Sequence, residues 1–515
     1  MINELTDLPD WDRKVFDSDS IFKWKSAKLL TGDDVTRSMA DWCVEEVKYY
    51  VHNFISSRII HALDGGVIKS DDNVEVSLRA DIIKGAAKLR REMAKREHLE
   101  NTVAYVVDPH LYSFAFQKTR TLHFDTLTTR ECVLRCGEGE PVKKPSSEEC
   151  VQKERNKYAN DLAWSNQYQW LPFDVIFESM GAGASRIASY INNIHPKIHH
   201  SFYNTLENLI DILLPLFDCT LIDLKAPGYQ NQRFHLAKSG RNPVIQREPG
   251  AFCPSEQRAN VDWLDRQGRY QDFIFADLKK EFWNIGIQMV LDLQDINLTP
   301  EAPLYEGEEW HLHGQMNERV CATAHYIYSH QNTTLPTISF RRRINPEEAG
   351  LAKAYITSPP FAPEMYGVGG NDPPVQKIGD VSLREGRVVV FPNTFQTRIN
   401  PFSVADPSRP GNLRMLTLHL IDPNRRAMST AMVPCQRRDW WAREVRSTCP
   451  TFWRLPMEVW NRVVELVDGW PLGMEEAQEM RTEFIKEREQ FRKQHTESME
   501  NYLPYGWDIG SDEDE

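Results

Sequence analysis

Short strand-like segments between residues 286 and 421 constrain the fold of this chain more than any other feature. They are apolar or alternate between apolar and polar residues, and Pro- and Gly-containing turns separate them: 286–293, 320–328, 337–340, 386–391 and 414–421. Parallel pairing would need a long crossover, usually a helix, between consecutive strands, and no helical pattern interrupts this region. The segments therefore predict an antiparallel barrel or jelly roll rather than a doubly wound sheet. A long loop at 359–380 lies where a lid over an active site would be expected.

Helical patterns lie on both sides of this region. Apolar residues recur at helical spacing in segments 38–60, 78–96, 203–214 and 475–494. Pro456 and Gly469 fit the first turn and the end of one more helix. The apolar face of that helix is predicted to consist of Val459, Val463, Leu466 and Val467. A strand at 174–177, the turn 181–186 and a following helix resemble a dinucleotide-binding unit. However, Arg186 stands where the third glycine of the Gly-x-Gly-x-x-Gly motif is required, so an ordinary Gly-rich turn is favoured.

We therefore predict an α+β fold whose core is a double-stranded β-helix, of the jelly-roll or cupin-like kind, wrapped by N- and C-terminal helices. The predicted organisation is a mainly helical N-terminal region with strands and long loops at 1–269, a jelly-roll core at 270–435, C-terminal helices at 436–500 and an acidic tail at 501–515.

Composition excludes several kinds of partner. The formal net charge of −13 argues against nucleic acid and anionic membranes, because both require a basic face. No apolar stretch reaches the length of about 18 residues that a membrane-spanning helix needs. The nine cysteines are scattered, which does not indicate a disulfide framework. We predict a reduced, cytoplasmic protein.

The Trp-His-Leu-His-Gly segment at 310–314 predicts half of a metal site. If residues 310–313 end a strand, His311 and His313 project into one cavity. A mononuclear iron oxygenase needs two imidazoles and one carboxylate on one face of the metal. Here His313 takes the carboxylate slot, and the later strand at 391–398 offers Thr397 where the distant histidine is expected. Glu318 has the wrong strand parity for a third ligand unless a bulge or turn intervenes.

Other polar residues have two interpretations. Arg409 and Arg414 follow Thr397 at distances where 2-oxoglutarate oxygenases place the basic residue that pairs with the co-substrate's distal carboxylate, and a guanidinium suits that role. Alternatively, Arg409 belongs to a polar turn and Arg414 is a strand-edge charge. A further group of histidines is interpreted as structural, with the first pair partly exposed at a helix start: His199, His200, His325, His330 and His419.

Several segments together resemble a fungal family catalogued as a domain of unknown function, whose members are tied to non-heme Fe(II), 2-oxoglutarate-dependent oxygenases. The segments that carry the resemblance are 5–11, 189–196, 310–318, 391–393, 422–423, 429–434 and 455–458. The family's core strand reads Trp-His-x-Glu-Gly and its later strand Pro-Asn-x-x-Gln-His, which implies that His311 is kept, that His313 replaces the Glu and that Thr397 replaces the second His. The family's Gly-His-Arg-Lys segment corresponds to 411–414, so that its carboxylate-binding Arg is displaced.

The resemblance implies a function as well as a fold. Some fungal gene clusters for meroterpenoid-type natural products use two such proteins as a heterodimer, in which one chain holds the iron and the other is degenerate. This chain resembles the degenerate, pseudoenzyme type, with no intact catalytic residues. Fe(II) and 2-oxoglutarate would then be held by the homologous partner subunit, acting on a small-molecule natural product of secondary metabolism. The alternatives are an autonomous oxygenase with an atypical His311/His313 site, and a substrate-binding or carrier protein.

Overall fold

The computed structural model describes residues 1–31, 35–94, 102–123, 126–146, 163–180, 183–225, 235–239, 242–246, 276–344 and 373–500, and shows a mixed α+β fold with mostly antiparallel sheets. The helices in these ranges are α1 Ile2–Leu5, α2 Trp11–Lys14, α3 Ser18–Leu30, α4 Arg37–Ser57, α5 Val76–Met93, α6 His200–Lys225, α7 Leu278–Glu281, α8 Arg438–Thr448, α9 Pro450–Trp453, α10 Met457–Glu465 and α11 Met474–Glu500.

The strands in the same ranges are β1 Ile60–Leu63, β2 Val67–Ser70, β3 Val103–Val107, β4 Phe114–Ala115, β5 Arg120–Thr121, β6 Glu140–Pro141, β7 Tyr168–Gln169, β8 Phe173–Phe177, β9 Ser185–Ile187, β10 His235–Ser239, β11 Asn242–Gln246, β12 Ile287–Leu298, β13 Leu304–Tyr305, β14 Val320–Gln331, β15 Thr337–Arg343, β16 Val375–Ser382, β17 Val388–Pro392, β18 Gln396–Ile399, β19 Phe402–Ser403 and β20 Gly411–Ile421.

A nine-stranded antiparallel sheet forms the centre of the fold. Its order is β1-β2-β17-β14-β20-β12-β8-β9, and β3 also pairs with β12. The longest pairings join β20 to β12 on one side and to β14 on the other. Strands from before and after residue 270 therefore share one sheet. A second sheet of three strands has the order β16-β15-β18.

The two faces of the large sheet bury different cores, because side chains alternate along a strand. On one face Tyr326 and Leu418 pack with the stripe of α6 that includes Leu209. On the other face Ile327 and Met415 pack in a core that also contains apolar residues of the three-stranded sheet. This second face carries the side chains of the candidate site.

A buried charge cluster fastens the N-terminal segment to the large sheet. Arg387 is 0% exposed, donates from Nε and Nη2 to both carboxylate oxygens of Asp71 at 2.5 and 2.7 Å, and donates from Nη2 to Asp7 at 2.8 Å. Lys69, also fully buried, donates to Asp7 at 2.6 Å. Burial lowers the pKa of Lys69 to about 8 despite Asp7, and the nearby Arg387 guanidinium and Lys69 hold the pKa of Asp7 at about 2 against the effect of burial. The cluster joins three distant parts of the chain.

The sequence-based assignment of elements is mostly confirmed. The five strands predicted between 286 and 421 correspond to β12, β14, β15, β17 and β20, and the predicted helices correspond to α4, α5, α6, α10 and α11. The predicted stripe of α11 is buried: Ala477, Met480, Phe484 and Phe491. These segments carry a strong period of either two or 3.6 residues, and that period was sufficient.

Four local predictions were wrong. The helix expected after the Gly-rich turn is strand β9, since Ser185–Ile187 pairs with β8; residues 181–182 lie outside the described part. The end of the predicted 359–380 loop belongs to β16, and its beginning lies outside the described residues. In α10, Val459 and Leu466 are exposed, and Trp460 is the side chain that this helix buries. His199 is buried rather than partly exposed, because it contacts Glu92 of α5 at 3.1 Å.

Candidate functional site

A cavity of about 510 Å³ opens on the inner face of the large sheet. Its walls come from β12, β14, β18 and β20, the segment 308–314 and helix α11. The histidines predicted from the sequence, His311 and His313, both line it, together with Thr397. The geometry of these three residues decides which chemistry the cavity can support.

The structure brings His311, His313 and Thr397 together. His311 and Thr397 form an isolated antiparallel bridge with two backbone hydrogen bonds, of 3.1 Å from His311 N–H and 2.9 Å from Thr397 N–H. His313 Nε2 lies 3.3 Å from Thr397 Oγ1, and the two imidazole rings are 5.0 Å apart. The prediction that 310–313 end a regular strand was wrong, since only this bridge forms, but the expected convergence of the two rings is present.

Gly314 ends the extended segment and directs Glu318 away from the cavity. Its φ of +77° favours glycine, and a Cβ there would lie 2.8 Å from Glu318 Oε2. The 3₁₀ turn Met316–Glu318 follows, and the Glu318 carboxylate accepts hydrogen bonds from Trp170 N–H at 2.6 Å and from Gln315 N–H at 2.8 Å. It also pairs with Arg488 of α11. Glu318 is therefore fully engaged and does not supply a third donor to the two histidines.

Arg409 and Arg414 do not line the cavity. Arg409 is exposed and pairs with Asp406 in the turn, at 2.9 Å. Arg414 lies 3.8 Å from the buried Asp295, which is bound more closely by Arg90. The guanidinium groups at the cavity instead belong to Arg488 and Arg492 of α11.

Two histidines that sequence reasoning treated as structural also line the cavity. His325 of β14 and His419 of β20 lie on the inner face, and each faces a threonine of the opposite strand in the register His325↔Thr417 and Thr323↔His419. The ring nitrogens lie 2.8 Å from Thr417 Oγ1 and 3.0 Å from Thr323 Oγ1. The sequence does contain a signal, because the pattern Thr-x-His occurs in both strands, at 323–325 and 417–419. Only the antiparallel register shows that each histidine faces the threonine of the other strand.

His313 lies at the centre of this histidine cluster, which consists of His311, His313, His325 and His419. Its ring centroid is 5.6 Å from that of His325 and 5.1 Å from that of His419. His419 in turn stacks on Trp170 at 4.8 Å. Four imidazoles thus replace the mixed imidazole and carboxylate set of an iron oxygenase.

The surroundings of the cluster favour uncharged imidazoles. Burial lowers the pKa of His311, and the charge of Arg492 lowers it further. Burial and the neighbouring imidazoles hold the pKa of His313 and His419 well below the usual value, and burial lowers the pKa of His325 to about 3. Protonation of any one ring would place an unsolvated cation in the cavity.

These shifts predict acid-sensitive stability. His325 in the fold has a pKa of about 3, and burial lowers the pKa of His195 and of His495 to about 4, against about 6.5 in the unfolded chain. Below pH 6.5 the unfolded chain binds protons that the folded chain excludes, so stability falls as the pH decreases. Urea unfolding should show a loss of at least about 2 kcal/mol between pH 7 and pH 4.5.

A variant isolates the histidine contribution to this loss. His325→Gln should flatten the dependence on pH, because its side chain does not titrate. His123→Gln, at an exposed position, should leave the dependence unchanged. Equal stability of the wild-type chain at the two pH values would contradict the account.

The residues at this site do not fit a mononuclear iron centre. The third position is a threonine whose hydroxyl contacts His313, the Glu318 carboxylate is bound by Trp170 N–H and Arg488, and burial raises the pKa of Asp292 in the wall well above its usual value. Within the described ranges, no group of three or more His, Cys, Asp or Glu side chains is arranged to hold a metal ion. The described helices also include none long and apolar enough to cross a membrane.

The fold and the cavity define an α+β protein with a histidine-lined cavity on an antiparallel sheet. Residues 37–444 match the family described as "Protein of unknown function (DUF4246)". The chain belongs to this family, which confirms the resemblance to a domain of unknown function. No curated protein matches the chain in sequence.

Two solved structures show a distant likeness. One is the crystal structure of IDO from Bacillus thuringiensis, 10% identical over 39% of this chain and 81% of that chain, with a TM-score of 0.16. The other is a bsmA homolog from Methylobium petroleophilum PM1, 10% identical over 37% of this chain and 64% of that chain, also with a TM-score of 0.16.

Proposed function

We propose that this chain is the non-catalytic subunit of a heterodimeric Fe(II)/2-oxoglutarate-dependent oxygenase of fungal secondary metabolism, built on a jelly-roll core. One observation carries the proposal. The His311–Thr397 bridge and the neighbouring His313 keep the three ligand positions of the family motif together, while two of the three side chains are wrong for iron. An oxygenase scaffold without its ligand set suits a subunit that supports an active homologue.

The jelly-roll part of the proposal is supported by the sheets. The large antiparallel sheet and the three-stranded sheet share one apolar core, with Ile327 and Met415 from the first and Ile338 and Phe340 from the second. Two facing antiparallel sheets around one core are typical of jelly rolls. The bridge between His311 and Thr397 extends β18 towards the cavity, which lies between the sheets.

The position of α11 supports a non-catalytic role for this chain. Arg488 inserts its guanidinium over the Trp170 ring, 4.0 Å from the centroid, and pairs with the buried Glu318. Gln396, next to Thr397, contacts His495 of α11 at 2.9 Å. Arg492 of the same helix also lines the cavity, and its charge lowers the pKa of His311, so it opposes a further cation at that ring.

Co-expression with a homologue that retains the His-x-Glu and distant His ligands tests the proposal. The two chains should elute together on gel filtration, and the homologue should consume 2-oxoglutarate faster in the complex than alone. The matched control pairs the homologue with a second copy of itself. Separate elution, together with turnover that is unchanged by this chain, would refute the heterodimer.

A further inference from the structure

The histidine cluster presents four free ring nitrogens to the cavity. One nitrogen of each ring contacts a hydrogen-bonding oxygen of the cavity wall. The other nitrogen makes no hydrogen bond within the described residues and is not fully buried. The wall contacts are His311 Nδ1 to Glu309 O at 2.9 Å, His313 Nε2 to Thr397 Oγ1 at 3.3 Å, His325 Nδ1 to Thr417 Oγ1 at 2.8 Å and His419 Nδ1 to Thr323 Oγ1 at 3.0 Å.

The tautomer of His311 is fixed by its wall contact. A neutral imidazole whose Nδ1–H donates to a carbonyl must present Nε2 as an acceptor. His311 Nε2 can therefore accept a hydrogen bond from a ligand hydroxyl. The other three rings face threonine hydroxyls, which donate or accept, so each of these rings can serve either a hydroxyl or a carbonyl.

The charged groups of the lining give the cavity no net positive charge. Three carboxylates and three cations line it, Arg488 is paired with Glu318 outside the lining, and burial raises the pKa of the lining residue Asp292 well above its usual value. The charged lining residues are Glu308, Glu309 and Glu489 on one side and Arg488, Arg492 and Lys493 on the other. An anionic ligand would leave water for a site without net positive charge, which is costly. An uncharged ligand meets no such penalty.

The remaining lining combines polar side chains, among them Asp292, Gln294 and Thr417, with aromatic and aliphatic ones. Trp170 and Tyr305 contribute rings, and Ile338, Ile399 and Met415 contribute aliphatic surface. The volume of about 510 Å³ lies within the range of cavities that hold drug-sized molecules. Polar atoms form the larger part of the wall, so a molecule that fits here must offer several hydrogen-bonding oxygens beside its apolar surface.

We propose that the chain itself binds, in this cavity, an uncharged organic molecule whose apolar skeleton carries several hydroxyl or carbonyl oxygens. The four imidazoles bond to these oxygens, and the aromatic and aliphatic wall covers the skeleton. The inference concerns the chain alone and holds whether or not an oxygenase partner exists.

Calorimetric titration of the full chain with matched steroids tests the proposal. Hydrocortisone is uncharged and carries hydroxyl and carbonyl groups, progesterone has the same skeleton without hydroxyls, and hydrocortisone hemisuccinate adds a carboxylate. Hydrocortisone should bind at least about tenfold more tightly than either relative, because a buried hydrogen-bonding group left without its partner weakens binding. 2-Oxoglutarate should not compete. Equal or tighter binding of progesterone or of the hemisuccinate, competition by 2-oxoglutarate, or no binding of hydrocortisone would each overturn it.

Two histidine variants locate the binding. His311→Phe and His325→Phe keep a ring of similar size and remove the cavity nitrogen, and each should weaken hydrocortisone binding about tenfold. His330→Phe is the matched control, since His330 lies on the same strand as His325 but bonds to Thr333 outside the cavity. Binding that survives both cavity variants, with all four chains folded by circular dichroism, would place the ligand elsewhere and refute the proposal.

Discussion

Replacing Arg387 by Met is expected to lower the free energy of unfolding by about 3 kcal/mol or more. The side chain is fully buried and holds Asp71 and Asp7, which come from the β2 end and the N-terminal segment. Removing the guanidinium leaves Asp71 without this partner and leaves Lys69 as the main cation beside Asp7. Asp71 is 37% exposed and recovers part of the loss from water, so the cost falls mainly on the buried contacts to Asp7 and to the Ser382 oxygens.

Urea denaturation of the two variants checks this expectation. Arg409→Met is the matched control, because its pair with Asp406 is exposed and should contribute less than about 1 kcal/mol. A truncation that removes residues 1–7 should lower the free energy of unfolding as Arg387→Met does, because both changes remove the contact between Arg387 and Asp7. Similar stabilities of the two Arg variants would show that the cluster does not anchor the N-terminal segment.

Glu318→Gln is expected to have a similar effect, of about 3 kcal/mol. The amide oxygen can still accept from Trp170 N–H, so the substitution removes the charge that faces Arg488 and the second oxygen, which accepts from Gln315 N–H. Arg488 is 5% exposed and cannot recover the loss by contact with water. The substitution thus measures the charge pair that holds α11 on the cavity.

A double substitution separates this pair from general damage to the core. Glu318→Leu with Arg488→Met should be more stable than Glu318→Gln, because no lone charge remains buried. Glu489→Gln, at the mouth of the same cavity, serves as the control and should change stability by less than about 1 kcal/mol. If Glu318→Gln unfolds like the control, the helix is held by its apolar stripe alone.

Sequence patterns predicted the strands and long helices because burial imposes a period that can be counted. Strand β14 alternates, so Ile327 and His325 share one face while Tyr326 lies on the other. The same rule, with the His-x-His spacing, placed His311 and His313 in one cavity. Local periodicity was sufficient wherever a feature lay within one element.

Features that join distant elements were missed. His325 and His419 are single histidines in separate strands, and only the β14–β20 register brings them beside His313. The buried stripe of α11 was predicted, but not the surface against which it packs, so Arg488 was not recognised as a cavity residue. The turn at Gly314 likewise decided the direction of Glu318, which strand parity alone could not supply.

The iron content of the chain tests the central claim most directly. The wild-type protein and the variant His313→Glu with Thr397→His are loaded anaerobically with Fe(II) and 2-oxoglutarate, desalted and measured for bound iron. The variant should hold close to one iron per chain, because the His311–Thr397 bridge already positions the ligand set, and the wild-type chain should hold far less. Stoichiometric iron in the wild-type chain would contradict the account.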